Sequence, residues 1–250
     1  MTAAASAPVR GRYAPVDMVR GVAIGLMIVY HFSWDLSFFH LADFRVWEDP
    51  AWRWFASIIV TMFLSVTGLA QVLAAERGRS LRVFLRRLGL VVACAALVSA
   101  ATYWVDPASY IFFGILHHIA LASVVAVVVL PLPTVVLLGL AVLCFAAPVL
   151  LTGPAFGASW LLWLGLNPAP PLSVDYVPFL PWFAMPLLGM VAGRLIIGDG
   201  RMQKFLHWRP SDPVSRVLHF AGRRSLVVYM LHQPLLFGAL YLFVMVREKI

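Results

Sequence analysis

The chain has 250 residues, 62% of them hydrophobic and 12% charged, with a mean hydropathy of +0.89 and a formal net charge of +8. An ordinary soluble domain carries about 25% charged residues, so this composition excludes one and predicts an all-α polytopic membrane helix bundle. The positive balance would suit a nucleic-acid binder only if it formed one soluble face, and here the charges sort by segment instead.

A membrane span needs about 20 mostly apolar residues at a rise of 1.5 Å each. Seven segments qualify, at approximately 18–39, 54–75, 83–104, 110–130, 134–152, 178–197 and 224–246. With short connections they form a single bundle domain over 16–250, after a polar and loose stretch over 1–15. No small-residue cleavage site follows the first span, so it reads as a retained anchor.

The first span carries the leading site. His31 and Asp35 lie one helical turn apart, where an ionisable group costs roughly 2.5–3.5 kcal/mol on insertion scales and normally serves a function. The i, i+4 spacing puts them on one face, where the carboxylate can orient the imidazole and raise its basicity. Arg20, Met27, His31 and Asp35 share one stripe, with Arg20 about 16 Å below His31. Gly21 allows a close backbone approach beside Arg20. His40, at the outer end, is a second candidate base.

The loops fix an orientation. Arg10, Arg12, Arg20, Arg77, Arg79, Arg82, Arg86, Arg87, Arg194, Arg201, Lys204, Arg209, Arg216, Arg223 and Arg224 fall on one side, 15 of the 19 basic residues. Arg45, Arg53, Arg247 and Lys249 fall on the other. The positive-inside rule then places the N-terminus in the cytoplasm and the C-terminus outside. Trp34, Trp47, Trp52, Trp54, Trp104, Trp160, Trp163 and Trp182 gather near the outer interface as an aromatic belt. Cys94 and Cys144 sit singly in apolar spans, without metal-ligand spacing, and read as packing thiols.

The fourth span opens with His117 and His118 in its outer half. Neighbours on a helix point about 100° apart, so one of the two is expected to face the cavity of His31, and the spacing leaves open which. The outer loop over 153–178 is rich in Trp and Pro and holds one acid, Asp175, suited to a cationic or hydroxylated acceptor. His207 and His219 fall in a basic, partly amphipathic inner linker and read as surface residues. The last helix is expected to start at Gly222, Arg223, Arg224 and Ser225, where free N–H groups and a positive dipole end favour phosphate. Ser225, Tyr229 and His232 then form a polar stripe climbing toward the level of His31. Each intramembrane histidine also has a structural reading, as a hydrogen-bond partner between helices.

Four blocks carry a resemblance. They are Val16-Asp17-Met18-Val19-Arg20-Gly21-Val22-Ala23-Ile24 with Met27 and Tyr30-His31-Phe32, then Phe112-Phe113-Gly114-Ile115-Leu116-His117. Val174-Asp175-Tyr176-Val177-Pro178 with Leu180-Pro181-Trp182-Phe183, and Gly222-Arg223-Arg224-Ser225-Leu226 through Tyr229 to His232-Gln233-Pro234, complete the set. Together, and in this order, they resemble the heparan-alpha-glucosaminide N-acetyltransferase catalytic-domain family, particularly its small bacterial branch, within the wider membrane acyltransferases.

The resemblance implies a multispan acetyltransferase in the bacterial cytoplasmic (inner) membrane, moving acetyl from cytosolic acetyl-CoA to an extracytoplasmic sugar or glycan, on an amine or a hydroxyl. His31 aligns with a helix-borne His of the wider group and is expected to act as general base or nucleophile, with Asp35 orienting it. Arg20, Arg223, Arg224, Ser225, Tyr229 and His232 would receive the acyl-CoA, and His117 or His118 and Asp175 the acceptor. No metal is expected. The same His and Asp residues leave two alternatives, a haem-binding membrane protein and a proton-coupled transporter. The apolar helix faces suit either lipid or a second protomer.

Overall fold

The computed structural model describes residues 13–46, 48–78, 80–206 and 208–247. Arg10, Arg12, Trp47, Arg79, His207 and Lys249, the side chain of Arg201 and the loose stretch over residues 1–12 lie outside the described residues. Among those described, the secondary structure is helical, without strands.

Local sequence starts most helices. Pro15 opens α1 (Ala14–Phe38), where its fixed φ suits the first turn and its missing N–H is not needed. Asp49 accepts from Ala51 N at 2.8 Å ahead of α2 (Pro50–Glu76), and Ser80 from Val83 N at 3.4 Å ahead of α3 (Leu81–Val105). These caps satisfy N–H groups that the helix itself leaves unpaired. α4 (Ile115–Val129) differs, because its first N–H, that of Ile115, donates at 3.1 Å to Asp175, 60 residues away. α5 (Thr134–Leu151), a short α6 (Phe179–Trp182) and α7 (Ala184–Gly198) follow.

Among the described residues, six helices are long and apolar enough to cross a membrane, counting α6 and α7 as one span, and α4 is the shorter seventh. The expected span over 110–130 begins five residues late. Ser109 O accepts from Val174 N at 3.0 Å and Phe113 O from Val177 N at 3.1 Å, so the strap before α4 is tied to the 153–178 loop instead of coiling. The 15 residues of α4 rise about 22 Å, yet the helix still joins both ends of the bundle. At its far end Arg194 donates to Leu130 O at 2.6 Å and to Thr134 Oγ1 at 3.1 Å.

The bundle therefore has an arginine-rich end, where Arg77 lies 3.7 Å over the Tyr13 ring, and a tryptophan-rich end, where Trp54, Trp104 and Trp160 are exposed. α3 and α5 turn most of their apolar side chains outward.

The basic linker contains two helices, α8 (Gly200–Leu206) and α9 (Pro213–Arg223), before α10 (Ser225–Arg247). Gly222 thus closes α9 and does not open the last helix, a correction to the expected start. Its lack of a side chain serves contact: a Cβ at Gly222 would overlap the carbonyl of Asp17, and one at Gly21 the carbonyl of Leu218. Small residues let the backbones of α1 and α9 meet. α2 and α7 meet likewise, Gly68 against the Pro186 carbonyl and Gly189 against that of Ser65.

Candidate functional site

The expected stripe on α1 faces inward, with Arg20, Met27 and Asp35 buried and His31 partly buried. What it meets is α10. His31 Nδ1 lies 3.1 Å from His232 Nε2, with ring centroids 4.9 Å apart. His232 Nδ1 lies 2.5 Å from the Tyr229 carbonyl. One turn further, Gln233 Nε2 donates to Asp35 Oδ1 at 2.7 Å. Asp35 is 0% exposed, and both its Oδ2 and Gln233 Oε1 are buried without a partner.

The expected carboxylate–imidazole pair is therefore replaced by two rungs between helices. Adjacent residues of α10, His232 and Gln233, reach across the interface to His31 and Asp35, which lie one turn apart on α1. The imidazole's partner is another imidazole, and the carboxyl group is taken by an amide. Gln233 was visible in the sequence as an amide in an apolar span, but its register against α1 was not.

Aromatic rings enclose the imidazole pair. Tyr30 meets His31 edge-on at 5.6 Å and Trp52 at 6.0 Å, and Tyr229 lies 5.6 Å from His232. Asp175 caps α4 and interacts electrostatically with the hydroxyls of both Tyr30 and Tyr229, so the outer acid faces the same region. Burial pushes its carboxyl up to about 6, with the Ile115 N–H opposing part of the rise.

Neither histidine of α4 bonds to this group. His117 accepts from Gly114 N at 3.2 Å through Nδ1 and pairs with Ser99 Oγ at 3.1 Å through Nε2, which ties it to α3. His118 is 0% exposed; its Nδ1 lies 3.3 Å from the Val177 carbonyl and its ring stacks on Phe179 at 5.7 Å. The pair turned to different neighbours, as adjacent helical positions must, and both hold the strap and loop around α4.

At the arginine-rich end, Arg20 pairs with Asp17 at 2.6 Å and lines a small cavity of about 70 Å³. Arg87, Gln71, Thr67 and Ser123 line it too, so α1, α2, α3 and α4 all contribute. Arg87 looked like one topology signal among several in the sequence. Arg223 and Arg224 are exposed, with Arg224 over the Phe220 ring at 4.5 Å, and neither is among the lining residues. Ser225 is half-buried at the start of α10. The cavity walls stop short of His31, and packed Ala23, Ile24, Met27 and Phe63 occupy the level between.

Among the described residues, no three His, Cys, Asp or Glu side chains converge as metal ligands do. No curated protein and no solved structure matches the chain. The family model described as heparan-alpha-glucosaminide N-acetyltransferase, catalytic, matches residues 12–234. With a hydrogen-bonded imidazole pair inside an apolar helical bundle and a family match over most of its length, the chain belongs to the heparan-alpha-glucosaminide N-acetyltransferase catalytic-domain family.

Proposed function

We propose that the chain takes an acetyl group from acetyl-CoA on the cytosolic side of a bacterial inner membrane and delivers it to an amine or hydroxyl of a sugar on the opposite side. The observation that carries this reading is the imidazole pair of His31 and His232 between α1 and α10, on the same face of α1 as the cationic cavity of Arg20. The arginine-rich end faces the cytosol, as the positive-inside rule requires.

The phosphates of the donor rest at that end, against Arg20 and Arg87, with Arg223, Arg224 and Ser225 on the surface nearby. The pantetheine arm then passes between α1 and α10 along Tyr229, with the His232 ring held against His31 and not against the donor, which requires the Ala23–Met27 layer to part. Asp175 faces the acceptor, while His117 and His118 keep its loop in place.

At His31 the chemistry takes one of two forms. As general base, the ring removes a proton from the acceptor N–H or O–H while the acceptor's lone pair attacks the thioester carbonyl; the C–S bond breaks, and the proton passes to the departing thiolate. As nucleophile, the ring nitrogen attacks the thioester carbonyl and the C–S bond breaks, releasing the CoA thiolate; the acceptor's lone pair then attacks the acetyl-imidazole, the N–C bond breaks, and the acceptor's proton passes to the thiolate.

A haem held between His31 and His232 is disfavoured by their direct hydrogen bond, since an axial pair must leave room for iron and porphyrin. Membranes containing the chain, given radiolabelled acetyl-CoA and a panel of amino sugars and envelope glycans, are expected to label at least one acceptor, and the His31→Ala variant none. Equal labelling by folded His31→Ala protein would overturn the role of His31. Substrate flux in proteoliposomes without acetyl-CoA consumption would overturn the transferase reading altogether.

A further inference from the structure

We infer that His232 is the positioning residue for His31, and that their contact leaves His31 Nε2 as the reactive nitrogen. This rests on the reading of His31 as the reacting imidazole. One group in the cluster has a fixed hydrogen-bonding role. A backbone carbonyl only accepts, so His232 Nδ1, 2.5 Å from the Tyr229 carbonyl, carries the hydrogen. In a neutral imidazole the other nitrogen is then an acceptor, which makes His232 Nε2 a lone pair. The atom 3.1 Å from it is His31 Nδ1, and this nitrogen must donate. The hydrogen of His31 thus sits on Nδ1, which leaves its Nε2 as the lone pair.

Two imidazoles in series do here what a carboxylate does in the familiar triad, where the partner fixes the tautomer and orientation of the reacting ring. The difference is that the partner is neutral, so the pair brings no fixed charge into the apolar bundle. When Nε2 removes the acceptor's proton, the new positive charge on His31 is stabilised through the Nδ1–H bond to His232. The tyrosine carbonyl at the far end polarises the chain of hydrogen bonds in the same sense. His232 touches neither donor nor acceptor in this scheme and acts only through His31.

The test uses the full chain in lipid, with nitrogen-15 in its histidine rings, and reads the tautomer of His31 by magnetic resonance alongside acetyl transfer. His31 is expected to show a protonated Nδ1 and a bare Nε2 in the unsubstituted protein. His232→Leu is expected to lose that preference and lower kcat roughly 10-fold to 100-fold, as partners orienting a ligating histidine do elsewhere, with KM for acetyl-CoA unchanged. His232→Gln, whose amide oxygen can accept from Nδ1, is expected to recover both tautomer and rate. A hydrogen on Nε2 of His31 in the unsubstituted protein overturns the inference, and so does a His232→Gln variant as slow as His232→Leu. Should no acceptor be acetylated at all, the function proposed above fails, while the resonance measurement still decides the tautomer.

Discussion

Gln233 holds Asp35 by one hydrogen bond of 2.7 Å, from Nε2 to Oδ1, and the two oxygens left over, Asp35 Oδ2 and Gln233 Oε1, are both buried without a donor. One proton on Asp35 would satisfy both, since a carboxylic acid and a carboxamide can join in a ring with O–H donating to the amide oxygen and N–H to the acid carbonyl. Asn has the same shape and supplies the missing donor through its own NH₂. Asp35→Asn is therefore expected to stay within about 0.5 kcal/mol of the unsubstituted protein. Asp35→Leu strands the amide of Gln233 and is expected to cost about 1–3 kcal/mol. Thermal unfolding in detergent checks both, and an Asn variant as damaged as the Leu variant would show that Asp35 is held as an anion.

This rung marks the boundary of what the sequence displays. The inward stripe from Arg20 to Asp35 was legible because it lies on one helix and follows from the 3.6-residue period. The starts of α1 and α2 lie four residues before the expected spans at 18 and 54, because Pro15 and the Asp49 cap act outside the apolar runs that marked those spans. The cap that Asp175 provides for α4 was not, because it spans 60 residues and depends on how the outer loop folds back. For the same reason the sequence could pair His31 with Asp35 but not with His232, since their partnership is a matter of register between the first and last helices. The cavity of Arg20 and Arg87 escaped likewise, because an arginine in a basic loop looks the same whether it marks topology or lines a pocket.

The contact of α9 with α1 should be intolerant of side chains. A methyl group at Gly222 overlaps the Asp17 carbonyl, a backbone atom that cannot swing aside. Gly222→Ala is expected to destabilise the protein by about 1–3 kcal/mol, the usual range for overpacking. Gly25→Ala provides the control, because nothing lies within 4 Å of a Cβ there, and it should be neutral or slightly stabilising in the helix interior. Unfolding of the two variants in the same detergent distinguishes this contact from a general cost of replacing glycine in α1 or α9.

Asp175 should make stability depend on pH in the unusual direction. Its carboxyl rises in the folded chain from the ordinary 3.8 to about 6, so between those values the folded form holds a proton that the unfolded form has released. The slope of stability with pH follows the protons bound by the unfolded state less those bound by the folded state, which is negative here. The contribution is complete below pH 4 and is lost as pH rises through 6. Asp175→Asn keeps an acceptor for Ile115 N–H and removes the titration, so its stability should be flatter than that of the unsubstituted protein across this window. Chemical denaturation at a series of pH values measures the difference, and parallel curves would assign the slope to other groups.

Arg87 offers the clearest separation between topology and binding among the basic residues. It lines the cavity with Arg20, while its neighbour Arg86 does not, and both are exposed on α3 near the arginine-rich end. If both served only orientation, replacing either would have the same effect. If the cavity receives the donor's phosphates, Arg87→Met removes one charged hydrogen bond from bound acetyl-CoA, a loss of about 1.4 kcal/mol or a tenfold rise in KM. Arg86→Met should leave KM unchanged, and kcat should hold in both because neither touches the reacting atoms. The effect of Arg87 should also shrink as salt is added, since an exposed charge is screened within a Debye length of about 8 Å at physiological ionic strength. Equal KM values for the two variants at low salt would move the phosphates out of this cavity and back to the surface formed by Arg223 and Arg224.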